Sequence, residues 1–372
     1  FYEKNMITKQ TPGMIVSDFN SIATYIFKNK ILVKGKGRQF PVKLLETLNH
    51  LLTHPLKHGF TQPQQKSFPH LHGLYWLLRA SGLLRLKQRG KKKYFEINAS
   101  YYQKWGELND MEQYCNLLDI WWFHTSPEII DSYGFQQEFY FSLLNLWGKF
   151  VRTKALHFKD YEDFMLNQAY GRAHIYSLLE LFGLVKVDVR SSVQGTGWNV
   201  KTISPTNLGV QLIARLTKTL ISISDKVSLN YDDVEGRFIL EIKSQYPQWV
   251  RHFPPKEKTK FCNSTYVIGA YLGKTYEQII MKSNKKFSDL ADEILSSFEI
   301  EEWEHIYDFY YDSVTGEKHN IVHPRIDQYD EDCVHADKIR LGDIIWEEGT
   351  SIIFVFNYMA EQRYKIILEK VL

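Results

Sequence analysis

The sequence predicts a multidomain α+β protein, helical over its first two thirds and built on a small antiparallel sheet in its last third. Three observations predict it. A helix end, a glycine and a strand occur twice, 101 residues apart. From Ser264 onward the apolar residues alternate as in strands. Charge is also divided: residues 1–105 carry 18 Lys and Arg against 4 Asp and Glu, whereas residues 266–372 carry 11 against 21.

The repeat is read from "YWLLRASGLLRLK" (75–87) and "YSLLELFGLVKVD" (176–188), in which Tyr75, Leu77, Leu78, Gly82 and Leu83 match Tyr176, Leu178, Leu179, Gly183 and Leu184. Glycine suits the left-handed position after a helix because it has no Cβ to clash. Before the first copy, "FPVKLLETLNHLLTHPL" has apolar residues at helical spacing. Ser67 is the expected N-cap of the next helix, with Pro69 in its first turn. Leu83–Lys87 then turns through Arg89-Gly90 and returns as Lys92–Ile97, with Leu84, Leu86, Phe95 and Ile97 alternating toward a core.

Helices followed by a β-hairpin describe a winged-helix unit. The sequence therefore divides into a basic winged-helix-like domain (1–105), a helical connector (106–139), a second winged-helix-like domain (140–216), a helical segment and linker (217–262) and an acidic α+β domain (263–372). In the second copy "LVKVDV" and "WNVKTISP" pair as the wing, and a closing helix starts near Thr206. "NDMEQYCNLLDIWWFH" reads as the connecting helix. "YPQWVRHFPPKEK" reads as a linker, since adjacent prolines stop regular structure.

In the last part, "TYVIGAYLGKTYEQIIMK" reads as a hairpin, "FSDLADEILSSF" as a helix, "EWEHIYDFYYD" as a strand, and "SIIFVFNYM" with "YKIILEKVL" as a closing hairpin. The segments "FSDLADEI", "EWEHIYDF", "IRLGDIIWEEGTSIIFVFNY" and "YKIILEKV" resemble, in that order, the plasmid pRiA4b ORF-3-like proteins. "FPHLHGLYWLLRASGLL" is similar to the helical region attached to longer members. The resemblance implies an α+β domain with an antiparallel sheet. Where the family has the run D-F-G-D-D-W-E-H, this chain has Asn357-Tyr358-Met359-Ala360-Glu361-Gln362-Arg363-Tyr364, so the paired acids, tryptophan and histidine are mostly gone.

Composition bounds the function. With 372 residues, 44% of them hydrophobic, the chain can build sizeable cores. Cys115, Cys262 and Cys333 are far apart and odd in number, which fits a reducing compartment and a cytoplasmic location. No apolar run approaches the roughly 20 residues that cross a bilayer, and no signal peptide is visible. "GAYLGKT" (269–275) has three residues between its glycines where a phosphate loop needs four, so it reads as a hairpin turn. His319, His323, Cys333 and His335 have zinc-ligand types but no zinc spacing, and "DQYDEDC" lacks the glycine of a calcium loop. Trp121, Trp122, Phe123, Phe139, Phe141 and Trp147 read as core more than as a base-stacking platform. No catalytic signature appears, so no catalytic residue, metal ligand or cofactor is expected.

The strongest signal is the basic wing. The expected function is that of a non-enzymatic, nucleic-acid-associated protein of a mobile or defence-related element. Lys34, Lys36, Arg38, Arg79, Arg85, Lys87, Arg89, Lys91, Lys92 and Lys93 would bind the phosphate backbone of DNA or RNA. His70, His72, Trp76 and Arg79 are the few groups that the second helix offers for reading bases. The acidic domain would bind another protein or fold back on the basic end, and no membrane partner is expected. The alternative is a protein-interaction scaffold whose winged helices never touch nucleic acid.

Overall fold

The computed structural model describes residues 7–33, 39–89, 92–125, 145–150, 152–165, 173–224, 231–253, 261, 263–300, 306–312, 318–326, 334–344, 346–357 and 362–372. The protein is mixed α+β, and its described residues fall into two compact units. One comprises Phe1–Arg85 and Phe95–Pro255; the other comprises Leu86–Tyr94 and Lys256–Leu372. Among the described residues no helix is long and apolar enough to cross a membrane.

The first unit begins with α1 (Ile15–Lys28), β1 (Ile31–Val33), α2 (Val42–His50) and α3 (Pro69–Ala80). Then come β2 (Leu84–Arg89) and β3 (Lys92–Ile97), of which Leu86–Tyr94 belongs to the second unit; the sheet order is β1-β3-β2. After α4 (Ala99–Gly106) and α5 (Asp110–Phe123), a similar series follows. It contains β4 (Leu156–His157), α6 (Ala173–Leu181), β5 (Val185–Val189) and β6 (Val200–Pro205), with sheet order β4-β6-β5. In both sheets the earliest short strand joins the return strand of the hairpin. In both, the glycine between helix and strand has φ of +69°: Gly82 and Gly183. A Cβ at Gly183 would also meet Pro12 O at 2.3 Å.

Helix starts follow local chemistry. Asn109 Oδ1 accepts from Glu112 N at 2.9 Å while Glu112 Oε2 accepts from Asn109 N at 3.0 Å, which opens α5 with a capping box. Thr206 Oγ1 accepts from Gly209 N at 3.0 Å at the start of α7 (Asn207–Ser224), as its position predicts. Ser67 does not cap α3. It closes the short 3-10 turn Gln65–Ser67, where its hydroxyl accepts from Gln64 N at 3.1 Å, and α3 starts at Pro69 after Phe68.

The connecting helix α5 is a core element, buried from Glu112 to Trp122. Trp121 stacks on Phe182 with ring centroids 5.1 Å apart, and Tyr114 OH donates to Phe182 O at 2.7 Å. One expectation is corrected: the stretch before the double proline is not a loose linker. After α8 (Tyr231–Gln245), Trp249 and Phe253 are buried, because two large aromatics four residues apart gain more from the core than from water.

Asn116, fully buried, fastens that stretch to α5. Its Nδ2 donates to Arg251 O at 2.9 Å and to Glu112 O at 2.8 Å, while its Oδ1 accepts from Phe253 N at 2.8 Å and Trp249 Nε1 at 3.3 Å. Beside it, Arg251 Nη2 meets Glu112 Oε2 at 2.6 Å. Burial alone would raise the Glu112 carboxyl, but the hydrogen bonds from Arg251 hold it below the usual range.

The second unit is built on one seven-stranded sheet of order β11-β10-β9-β12-β13-β7-β8. Its strands are β7 (Thr265–Leu272), β8 (Thr275–Lys282), β9 (Tyr307–Asp312), β10 (Lys318–Val322), β11 (Val334–His335), β12 (Ser351–Phe356) and β13 (Gln362–Val371). All pairs are antiparallel except β10 with β11. The alternating residues Tyr266, Ile268 and Ala270 of β7 join a core with Phe287, Leu290, Ala291 and Ile294 of α9 (Phe287–Ser297). "GAYLGKT" is a hairpin: β7 ends at Leu272, Gly273 (φ +61°) and Lys274 turn, and β8 starts at Thr275.

Two stability outcomes follow from the first unit. Asn116→Leu leaves the buried Trp249 Nε1 and Phe253 N, and the Arg251 carbonyl, without their partner and is expected to cost about 3 kcal/mol or more in urea unfolding. Gly183→Ala, which combines a left-handed backbone with a clash on Pro12, is expected to cost about 2–4 kcal/mol. Losses below about 1 kcal/mol in both would contradict these accounts of α5 and of the Gly183 junction.

Candidate functional site

The described cations of the basic hairpin β2–β3 differ in exposure. Among the described cations, Lys92 and Lys93 are exposed. Lys87 is half-exposed, with Nζ 3.4 Å from Glu347 Oε2, both residues belonging to the second unit. The Arg85 guanidinium lies 5.3 Å from the Tyr101 ring centroid, and Lys104 Nζ lies 5.6 Å from the same ring. Arg89 is on β2. Lys34, Lys36, Arg38 and Lys91 lie outside the described residues.

Arg79 is a correction. It was expected at the nucleic-acid surface, yet it is 1% exposed, with Nη1 donating to Tyr75 OH at 2.9 Å and its guanidinium 5.9 Å from the Phe95 ring centroid. Arg79 belongs to the core because it lies one turn past Tyr75, on a helix buried nearly all round.

Of the other base-reading candidates, His72 and Trp76 are buried as well and His70 is half-buried. His72 is buried, and burial pushes its imidazole down to about 3; Gln65 Nε2 lies 3.0 Å from its Nδ1. His70 Nε2 meets Glu180 Oε2 at 2.8 Å. Trp76 is buried with its ring centroid 3.8 Å from that of His174. The two helices α3 and α6 pack together so closely that a Cβ at Gly73 would meet Leu178 Cγ at 2.7 Å. The would-be reading helix is therefore consumed by its counterpart in the second copy.

Of the aromatic group, Trp121, Trp122 and Trp147 are buried and Phe123 is half-buried, while Phe139 and Phe141 lie outside the described residues. Of the zinc-type residues of the second unit, His319 stacks on Tyr311 at 5.1 Å between ring centroids, His323 lies edge-on to Tyr307 at 4.6 Å, and Cys333 lies outside the described residues.

One cluster was not found from sequence. Asp119 on α5, His124 at the end of that helix and Glu235 on α8 bring ligating atoms within 4.8 Å of one another. His124 Nε2 is 3.5 Å from Asp119 Oδ2 and 3.3 Å from Glu235 Oε1. Only Asp119 and His124 were close in sequence, and Glu235 is brought in by helix packing. Burial alone would push the His124 imidazolium down, but hydrogen bonds to Asp119 and Glu235 carry it up to about 10. Among the described residues this is the group able to hold a metal ion.

No protein-family model matches the chain, and no curated protein is similar to it. Among solved structures, the protein of unknown function MM3350 from Methanosarcina mazei Go1 is similar at 22% identity and a TM-score of 0.27. The match covers 31% of this chain and 64% of that one, so the chain spans less than two thirds of that structure's length.

A pH outcome follows for His124. Its folded value lies above the unfolded one, so its stabilising contribution is complete below about pH 6.5. The contribution is lost as the pH rises through about 10. In EDTA-treated protein the His124 ring signals in NMR are expected to stay those of an imidazolium at pH 8, and Glu235→Gln to bring the titration downward. An ordinary titration near 6.5 in the unsubstituted protein would contradict the pairing.

Proposed function

We propose that this chain is a non-enzymatic protein that holds the phosphate backbone of nucleic acid through the hairpin β2–β3 and does not read bases. The observation that carries this reading is the pairing of an exposed cationic edge, Lys92 and Lys93, with a buried reading helix α3. Phosphate contacts give affinity without sequence information, and base edges must be reached by side chains in a groove. Here the chemistry for the first is at the surface and that for the second is in the core.

The finer architecture belongs to the same proposal: residues 1–105 and 140–216 are two winged-helix units. Their support is the shared order of helix, left-handed glycine and hairpin, and the equivalent sheets β1-β3-β2 and β4-β6-β5. Residues 263–372 are read as a pRiA4b ORF-3-like domain. That reading rests on the order of the matched segments, of which "FSDLADEI" opens α9 and the last two reach β12 and β13. A role in a mobile or defence-related element rests on that resemblance alone.

A second reading is favoured by one contact. Lys87 meets Glu347 at 3.4 Å, so a protein carboxylate is already the partner of one hairpin cation. On this reading the wing binds acidic protein surfaces, and the chain is a scaffold.

A salt titration separates the two. If about four phosphates are neutralised, the logarithm of affinity for duplex DNA should fall with log salt at a slope near −4. Lys92→Ala with Lys93→Ala should flatten that slope by up to about 2 units. Both substitutions are exposed, so the melting temperature should hardly move. Affinity should fall alike on unrelated sequences. Absence of salt-dependent binding to DNA and RNA at low salt would refute the phosphate reading in favour of the scaffold.

A further inference from the structure

We propose that Asp119, His124 and Glu235 form a binding site for a divalent first-row transition cation of the zinc class, joining α5 to α8. The site lies wholly in the first unit and is independent of the hairpin.

The first argument is distance. His124 Nε2 lies 3.5 Å from Asp119 Oδ2 and 3.3 Å from Glu235 Oε1. Ligands bound about 2.1 Å from a tetrahedral zinc ion stand about 3.4 Å apart, the edge of that tetrahedron. All three ligating atoms lie within 4.8 Å of one another, so one centre can serve them with side-chain adjustments.

The second argument is an unanswered oxygen. Asp119 is 4% exposed, and its Oδ1 is buried with no hydrogen-bond partner among the described residues. A buried carboxylate oxygen normally accepts a hydrogen bond or coordinates a metal. His124 answers only the Oδ2 side. A cation on this carboxylate would give Oδ1 the partner it lacks among the described residues.

The donor set chooses the class of ion. One imidazole nitrogen and two carboxylates suit zinc, manganese, cobalt or nickel. Calcium takes six to eight oxygens, which three side chains cannot provide, and magnesium keeps most of its water. No thiolate is present to favour a soft ion. Trp122 and Phe238, with ring centroids 4.9 Å apart, form an apolar contact between the same two helices. The site also has an entrance, since the His124 and Glu235 side chains retain 35% and 14% exposure. Three protein ligands leave a fourth position to water or to an external ligand.

The rival occupant is a proton. The same three side chains can be a histidinium held between two carboxylates, and calorimetry decides between them. Zinc chloride is titrated into EDTA-stripped, dialysed full-length chain. The site predicts one ion per chain. Asp119→Asn and Glu235→Gln should each weaken binding at least about tenfold. The chain has 13 histidines that can take zinc weakly, so the difference between chains is the measured quantity. If Asp119→Asn fails to fold, the partly exposed Glu235→Gln carries the comparison. Cobalt(II) added to unsubstituted protein should give the intense visible absorption of four- or five-coordinate cobalt. An identical zinc isotherm in unsubstituted and Glu235→Gln protein, or only the pale spectrum of hydrated cobalt, overturns the proposal.

Discussion

The first unit depends on how Asn116 is satisfied. A primary amide inside a core is tolerable only when its donors and acceptor find partners. Asn116 finds them in the backbone of residues 251–253, in the Trp249 indole and in its own helix. That requirement makes α5 the axis of the unit. It holds the chain after α8 against the capping box at Asn109 and Glu112, and sets Arg251 on the buried Glu112 carboxylate. The aromatic side chains of α5 then fill the remaining space, with Trp121 on Phe182 and Trp122 on Phe238. The same axis brings Asp119 and His124 to α8, where Glu235 waits.

Packing also decides what the repeat can do. Two similar helices meet face to face, with Gly73 admitting Leu178 at a distance no side chain would allow. Once α3 lies there, Arg79, His72 and Trp76 serve the interior through Tyr75, Gln65 and His174. What remains outside is the hairpin. Its charge is distributed by neighbours: Tyr101 takes Arg85, Glu347 takes Lys87, and Lys92 and Lys93 face solvent. A surface of this kind suits backbone contact and offers little to a base edge.

The metal-capable group shows the limit of reading spacing. Asp119 and His124 are five residues apart, and Glu235 is more than a hundred residues further on, across residues of unrelated pattern. By contrast the zinc-type residues His319 and His323 are neighbours in sequence, yet their rings lie against Tyr311 and Tyr307. Ligand type at close spacing is a weak signal unless the backbone turns both side chains to one point.

The sequence by itself determined the elements whose causes are local. The glycines at 82 and 183 ended two helices because only glycine adopts φ of +69° without strain, and alternation placed Ile268, Phe354 and Ile366 in one sheet core. The hairpin at Gly273-Lys274 was legible for the same reason. Tertiary structure alone decided which faces of those elements were used. Burial of α3 and α5 on nearly all sides, docking of Trp249 and Phe253, and the meeting of Asp119, His124 and Glu235 each need partners far along the chain. Periodicity reports that a helix has an apolar face. It does not report that a second element will come to cover the polar one, because that depends on the area and hydrogen bonds the second element gains in doing so.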